Sequence, residues 1–198
     1  MKELQFLREI KSVSMATIGD NKPHVRIIDI MLVEDDKVYF TTARGKAFYK
    51  QLIESEYIAI TAMDPTYKSI RISGTVSKVD RSFMTKIFEA NPMLNDIYPG
   101  DTKDILEPFC ISSGVGEIFD LSTLPITKRR FAFGVADVIP NAYKITEACI
   151  ACGKCQKGCP EKAIEQGEIY KIRSSHCIEC GRCYEICPVN AIEVPMPM

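Results

Sequence analysis

Two stretches near the end of the chain, CIACGKCQKGCP at residues 149–160 and CIECGRCYEICP at residues 177–188, carry eight of its nine cysteines. In each, three cysteines stand with two residues between neighbours. A fourth follows after three more residues, directly before a proline. Thiolates are soft ligands, suited to iron–sulfur clusters or to zinc. A zinc site of the usual kind closes two separated ligand pairs on one tetrahedral ion. Three closely spaced thiolates can instead wrap three corners of a cube, with the fourth beyond the reach of the same loop.

The two stretches belong to a longer repeat. YKITEACIACGKCQKGCPEKAI matches YKIRSSHCIECGRCYEICPVNAI, with one extra residue before the first cysteine of the second copy. Each copy predicts a short strand, a cysteine loop and a short helix after the proline, and two copies imply pseudo-twofold symmetry. Gly153 and Gly181 sit inside the loops, where backbone must approach sulfur without a Cβ in the way. Pro160 and Pro188 fix the chain direction just after the fourth cysteine. Zinc sites and disulfides are the competing readings of these cysteines.

This segment resembles the bacterial two-cluster ferredoxin family over roughly residues 141–194. The resemblance implies crossed ligation, in which each fourth cysteine serves the other cluster. Cys149, Cys152, Cys155 and Cys187 would hold one [4Fe–4S] cluster. Cys177, Cys180, Cys183 and Cys159 would hold the second. The ninth, Cys110, falls in the apparent strand LEPFCIS and reads as a small buried apolar residue. His176, beside Cys177, reads as an exposed loop histidine.

Bulk properties exclude several classes of function. The 198 residues are 46% hydrophobic and 26% charged, enough to bury a core. A net charge of −1 and a pI near 6.2 offer nothing to nucleic acid or to an anionic membrane surface. MKELQFLREI reads as an amphipathic helix with Leu4, Leu7 and Ile10 on one face, not as a signal peptide. No uncharged apolar run approaches a membrane span. The expectation is a cytoplasmic protein whose thiols stay reduced, which favours metal over disulfides.

Residues 1–140 and 141–198 are expected to be separate domains, with Pro140 and Asn141 as the breaker between them. The first is β-rich. SVSMATIG ends at the turn signal Gly19-Asp20-Asn21-Lys22, and VRIIDIMLV and KVYFTT flank the tip Glu34-Asp35-Asp36. YIAITAM and SIRISGTVSKV follow, then LEPFCISS, GEIFDLS and RRFAFGV as further runs. Helical patterns interrupt at GKAFYKQLIES and RSFMTKIFEANP. The fold class is mainly β with flanking helices (α+β), a barrel rather than a βαβ fold.

Within that domain, residues 23–52 bring together an anion-binding set. Arg26 lies on one strand, Thr41 and Thr42 end the next, and Gly45 and Lys46 open a helix. Helix N-termini attract anions, and arginine, hydroxyls and lysine converging there suit a phosphate. An exposed strand arginine and a helix-surface lysine are the plainer alternatives. Over roughly residues 1–135 the chain resembles the split-barrel FMN-binding family related to pyridoxamine 5′-phosphate oxidase, through this stretch, SIRISGTVSKV, NPMLNDIY and FCISSGVGEIFDLS ending in RFAFG.

That resemblance implies a six-stranded split β-barrel and a homodimer with FMN at its interface. Arg26, Thr41, Thr42 and Lys46 would hold the phosphate or ribityl chain. Ile27 and Ile28 would offer backbone groups to the isoalloxazine edge, and Ser69 matches a further flavin-contacting position. Relatives that oxidise pyridoxamine phosphate carry a lysine five residues after the arginine, where this chain has Met31. Their serine–arginine–proline segment has no counterpart after Arg81. Both departures point away from vitamin B6 oxidation.

The expected function is that of an iron–sulfur flavoprotein oxidoreductase. Two clusters relay electrons to or from FMN, and a small acceptor or a redox partner protein completes the path. The competing reading is a carrier that shuttles electrons between partner proteins without chemistry of its own. A sensor, with the clusters as an oxygen gauge, is a third. No catalytic acid or base stands out. Tyr98, Arg71 and His24 are polar and near the relevant segments, but core packing or surface exposure accounts for each.

Overall fold

Asp20 and Asn21 both adopt left-handed backbone, as do Asp35 and Asp36. Each pair sits at the tip of a two-residue hairpin, where positive φ lets the turn match the right-handed twist of its strands. The first tip joins β1 (Ser12–Gly19) to β2 (Lys22–Asp29), with Gly19 opposite Lys22. The second joins β3 (Leu32–Glu34) to β4 (Lys37–Ala43), with Glu34 opposite Lys37. Both turns fall where the sequence places them. The computed structural model describes residues 1–138 and 142–195. The predicted breaker, Pro140 and Asn141, lies outside the described residues.

The described chain divides into two compact units. The first comprises residues 1–65, 69–117 and 131–138. The second takes residues 66–68, 118–130 and, of the described residues, 142–195.

Strands β5 (Tyr57–Met63), β6 (Lys68–Lys78), β7 (Leu106–Asp120) and β8 (Thr127–Phe133) join the earlier strands. They form one sheet of eight strands in the order β2-β1-β5-β6-β7-β4-β3, with β8 paired to β7. The mainly β architecture with flanking helices is as expected, but the six-stranded split barrel is corrected: the sheet has eight strands and is not closed. The run VRIIDIMLV explains part of the difference. It breaks at Ile30 and Met31, whose N–H groups donate to Lys11 and Tyr39 carbonyls, so one run serves β1 and then β4. The two edges of the sheet, β2 and β3, are thus consecutive in the chain and separated by two residues. Among the described residues no ladder pairs these two edges.

LEPFCISS and GEIFDLS also differ from expectation, since they fuse into the single strand β7. Glycine permits this. A Cβ on Gly114 would lie 2.6 Å from the Ser73 carbonyl oxygen, and one on Gly74 would lie 2.3 Å from that of Ser113. The two backbones pass too closely for side chains.

Alternation along β1 and β5 buries Val13, Met15, Ile58 and Ile60 on the inner face. Phe40 and Phe109, both fully buried, stack 5.7 Å apart. Helix α1 (Lys2–Ile10) buries Leu4 and Leu7 completely, with Ile10 half-buried. Helix α2 (Ala47–Ser55) follows β4, and α3 (Phe83–Ala90) and α4 (Leu94–Ile97) follow β6.

In the second unit β9 (Lys144–Ile145) pairs with β12 (Ile192–Glu193), and β10 (Ile164–Glu165) pairs with β11 (Lys171–Ile172). The strand that opens the first repeat thus pairs with the one that closes the second. The helical turns α5 (Lys154–Lys157) and α6 (Arg182–Glu185) each contain the third cysteine of their copy and end before the fourth. This corrects the expected helix after the proline: three intervening residues already make one turn, and the chain then goes to β10 or β12. Among the described residues no helix is long and apolar enough to cross a membrane.

Candidate functional site

A cleft of about 610 Å³ opens in the first unit. Arg26, Ile27 and Ile28 line it from β2, Thr41 and Thr42 from β4, and Lys46 from the start of α2. The residues expected to contact a cofactor therefore converge, with one exception. Ser69 lies half-buried on β6 opposite Met63 and is not part of this lining.

The register explains why Arg26 faces inward. It pairs with the fully buried Met15, while its neighbours Val25 and Ile27 point outward, 68% and 66% exposed. The guanidinium donates to Thr17 Oγ1 at 2.5 Å and to Gln51 Oε1 at 2.7 Å. It also lies 4.5 Å from the centre of the Phe48 ring. Thr17 donates onward to Gln51 Oε1 at 2.8 Å. Burial lowers the Arg26 pKa from its usual value. A guanidinium carries five N–H donors and these contacts use two of them.

Two hydroxyls sit side by side on β4 with different fates. Thr41 Oγ1 donates to the Glu107 carbonyl at 3.0 Å. Thr42 Oγ1 is buried and has no hydrogen-bond partner. A buried hydroxyl without a partner costs about 1–3 kcal/mol, and a ligand oxygen in the cleft would relieve that. Lys46 is the N-cap of α2, in extended backbone, so the free amides of the first turn begin beside its exposed side chain. Fixed arginine, orphaned hydroxyl, helix N-terminus and lysine fit a phosphate group.

The other wall was not legible as a site. Asn91, Met93, Leu94, Ile97 and Tyr98 contribute to it from α3, α4 and their flanks. Asn91 is 5% exposed and held on three sides: its amide donates to the Met31 and Ile87 carbonyls at 2.8 Å each, and its oxygen accepts from Arg8 at 2.9 Å. Of the polar residues considered as acids or bases, His24 lines the cleft with Nε2 3.3 Å from the Gly19 carbonyl oxygen. Tyr98 lines it too, whereas Arg71 pairs with Glu117 at 2.9 Å. Gln51 and Phe48, which fix Arg26, were also missed. A glutamine on the buried face of an apolar helix was the available signal.

In the second unit, none of the cysteines is in a disulfide. One small cavity is lined by Cys149, Cys152, Cys155 and Cys187, and another by Cys159, Cys177, Cys180 and Cys183. Each cavity thus takes three cysteines from one copy of the repeat and the fourth from the other. Among the described residues no three Cys, His, Asp or Glu side chains close on a single ion position. The fourth cysteines are treated alike: Cys159 Sγ accepts from Ala163 N–H at 3.3 Å and Cys187 Sγ from Ala191 N–H at 3.2 Å.

Gly153 and Gly181 have φ of 71° and 78°, values that favour glycine. A Cβ there would meet the hydroxyls of Tyr170 at 3.3 Å and Tyr143 at 3.0 Å. Burial raises the Cys155 thiol pKa and takes that of Cys183 up to about 11. A thiol that resists ionisation alone is one a metal must ionise on binding. His176 corrects the expectation of an exposed histidine: it is half-buried, with Nδ1 3.1 Å from the Ile126 carbonyl oxygen. Cys110 is buried in β7, 2% exposed.

Residues 2–99 match the family model of pyridoxamine 5′-phosphate oxidase, and residues 141–188 match that of the 4Fe-4S dicluster domain. The chain joins an oxidase-like domain to a dicluster ferredoxin domain. The dicluster domain is 61% identical over 31 residues to a ferredoxin of Butyribacterium methylotrophicum, covering 16% of this chain and 56% of that one. The oxidase-like domain is 31% identical over 88 residues to a pyridoxine/pyridoxamine 5′-phosphate oxidase of Psychrobacter cryohalolentis, covering 43% and 41%. The chain spans about half the length of the curated relatives it matches. A NimC/NimA family protein from Clostridium acetobutylicum shares the fold, with a TM-score of 0.60 and 24% identity over 67% of this chain and 90% of that one. The oxidase-like domain thus shares this β fold, and residues 141–188 resemble a 4Fe-4S dicluster domain.

Proposed function

We propose that the chain is an iron–sulfur flavoprotein. Residues 141–198 hold two [4Fe–4S] clusters, residues 1–140 hold FMN, and electrons pass between them to reduce a small acceptor. One observation carries the reading. The same chain contains two cavities, each lined by four cysteines drawn crosswise from the repeat, and a cleft where Arg26 and the unpartnered Thr42 hydroxyl meet a helix N-terminus.

In the cleft, Arg26 is held in place by Thr17, Gln51 and Phe48, so little of its freedom remains to be lost when an anion binds. Thr42 supplies a hydroxyl and Lys46 a charge beside the first turn of α2. Ile27 and Ile28 bring backbone groups to the same cleft. FMN bound there supplies electron and hydride chemistry at its flavin ring, while the protein contributes position and electrostatics. Ser69 enters this reading as a contact made from a second copy. The outward face of β2, β1 and β5 supports a dimer, with Val25, Ile27, Tyr57 and Met63 all more than half exposed. A reducing compartment such as the cytoplasm suits eight thiolate ligands.

Met31 lines the cleft where a relative acting on pyridoxamine phosphate would present lysine, so the acceptor is a different molecule. A carrier without substrate chemistry is the second reading. The proton-carrying groups of the cleft favour it: His24 lies against the Gly19 carbonyl, and Asp29 accepts from Ser12 Oγ at 2.6 Å.

The test is anaerobic purification with iron, sulfide and flavin counted per chain, then photoreduction. Eight irons and one flavin are expected. Absence of flavin after reconstitution with FMN would remove the oxidoreductase reading. Reoxidation of the reduced protein by small acceptors separates the enzyme from the carrier, which only another redox protein would reoxidise.

A further inference from the structure

The two cysteine loops differ at one structurally equivalent place. Ala151 and Glu179 both precede the second cysteine of their loop, and both adopt left-handed backbone, with φ of 54° and 57°. Ala151 is exposed, whereas Glu179 is half-buried and ion-paired with Lys128. Lys128, on β8, is itself 7% exposed. Its backbone N–H donates to the Ser175 carbonyl at 2.7 Å, and the Ile126 carbonyl meets His176 Nδ1. Residues 118–130 belong to the same compact unit as the cysteine loops. Residues 126–128 thus brace the stretch from Ser175 to Glu179, which contains Cys177 and leads directly to Cys180.

A buried lysine needs an anion, and Glu179 provides one. The converse matters more. A carboxylate at residue 179 adjoins a ligand of an anionic cluster, and the Lys128 cation offsets its charge. Resting on the cluster reading above, we propose that Lys128 is a positioning residue which, through Glu179, raises the reduction potential of the cluster bound by Cys159, Cys177, Cys180 and Cys183. Each reduction adds one electron and no proton, hence one negative charge. Lys128 favours that state by Coulomb attraction in a shielded environment. The first loop has alanine at this place, so its cluster lacks the control, and the two potentials are set independently.

The experiment is an anaerobic redox titration of the full-length, cluster-loaded protein, followed by electron paramagnetic resonance. Lys128→Gln removes the cation of the Lys128–Glu179 pair. It should shift one of two midpoints downward by roughly tenfold in the one-electron equilibrium, or 59 mV, and leave the other in place. Glu179→Ala, which copies the first loop, should shift the same midpoint upward. Ala151→Glu should lower the other midpoint. Unchanged midpoints in a fully loaded Lys128→Gln protein overturn the proposal and leave Lys128 a brace. Where that variant loses iron, parental midpoints in Glu179→Ala overturn it equally. Fewer than eight irons in the parent protein removes the cluster reading itself, a failure that iron counting identifies before any titration.

Discussion

Arg26 and Gln51 meet across the cleft wall, Nη2 to Oε1 at 2.7 Å, joining β2 to a helix 25 residues further along the chain. The contact fixes the guanidinium from behind, while Phe48 supports its face. Lysine cannot reproduce this fork, since its charge sits on one flexible ammonium. Arg26→Lys should therefore weaken FMN binding nearly as much as Arg26→Ala. A lost charge-assisted hydrogen bond costs about 1.5–3 kcal/mol. Fluorescence titration of the flavin-free protein measures this directly, and parental affinity in both variants would remove Arg26 from the phosphate site.

Thr42 makes a prediction of opposite sign for stability and binding. Its buried hydroxyl has no partner, so Thr42→Val removes a desolvated polar group at nearly constant volume. The flavin-free variant should melt no lower than the parent and up to a few degrees higher, while flavin affinity falls by roughly tenfold, about 1.4 kcal/mol. A melting temperature several degrees lower would mean that the hydroxyl has a partner in the folded protein.

Much of this was legible in the sequence because it rests on local chemistry. The hairpin tips at Asp20-Asn21 and Asp35-Asp36 follow from residues that tolerate positive φ. The cysteine loops follow from spacing within a repeat, and their crossed sets from its resemblance to two-cluster ferredoxins. Sheet closure was not legible, because whether β2 and β3 pair depends on how Ile30 and Met31 redirect the chain between distant partners. Nor was the Asn91 wall, whose residues reach the cleft only through contacts of Asn91 with Arg8 and Met31, 83 and 60 residues away in sequence. The Lys128–Glu179 pair is of the same kind, since its partners stand 51 positions apart and Lys128 belongs to no motif.

The crossed cavities predict which cluster a single cysteine serves. Cys187 lies in the second copy of the repeat but lines the cavity of Cys149, Cys152 and Cys155. Cys187→Ser should perturb the cluster of that cavity and spare the other. Paired with Cys149→Ser it should add little further damage, whereas paired with Cys177→Ser it should affect both clusters. Iron content and electron paramagnetic resonance of the three proteins decide this. Damage from Cys187→Ser that adds to Cys149→Ser but not to Cys177→Ser would mean each copy keeps its own four ligands.

Glu107 sets a pH dependence for the first unit. It is 5% exposed in β7, with Arg44 Nη1 at 2.6 Å, Arg81 Nη1 at 3.2 Å and Lys78 Nζ at 3.9 Å. Burial alone would raise the carboxyl pKa. The Arg44 hydrogen bond and the charges of Lys78 and Arg81 outweigh it, and the net shift is downward from 4.5. A carboxylate whose folded pKa is depressed adds stability above its unfolded value, and that contribution fades as pH falls through the folded value. The parent should therefore lose part of its resistance to urea as pH drops below about 4.5, the ordinary glutamate range. Glu107→Gln never gains the ionic contribution. It should be less stable than the parent at pH 7, and the gap should narrow on acidification. Circular dichroism of the β-sheet signal in urea, at pH 7, 5 and 3.5, provides the comparison. A gap that stays constant with pH would show that Glu107 acts by packing and not by charge.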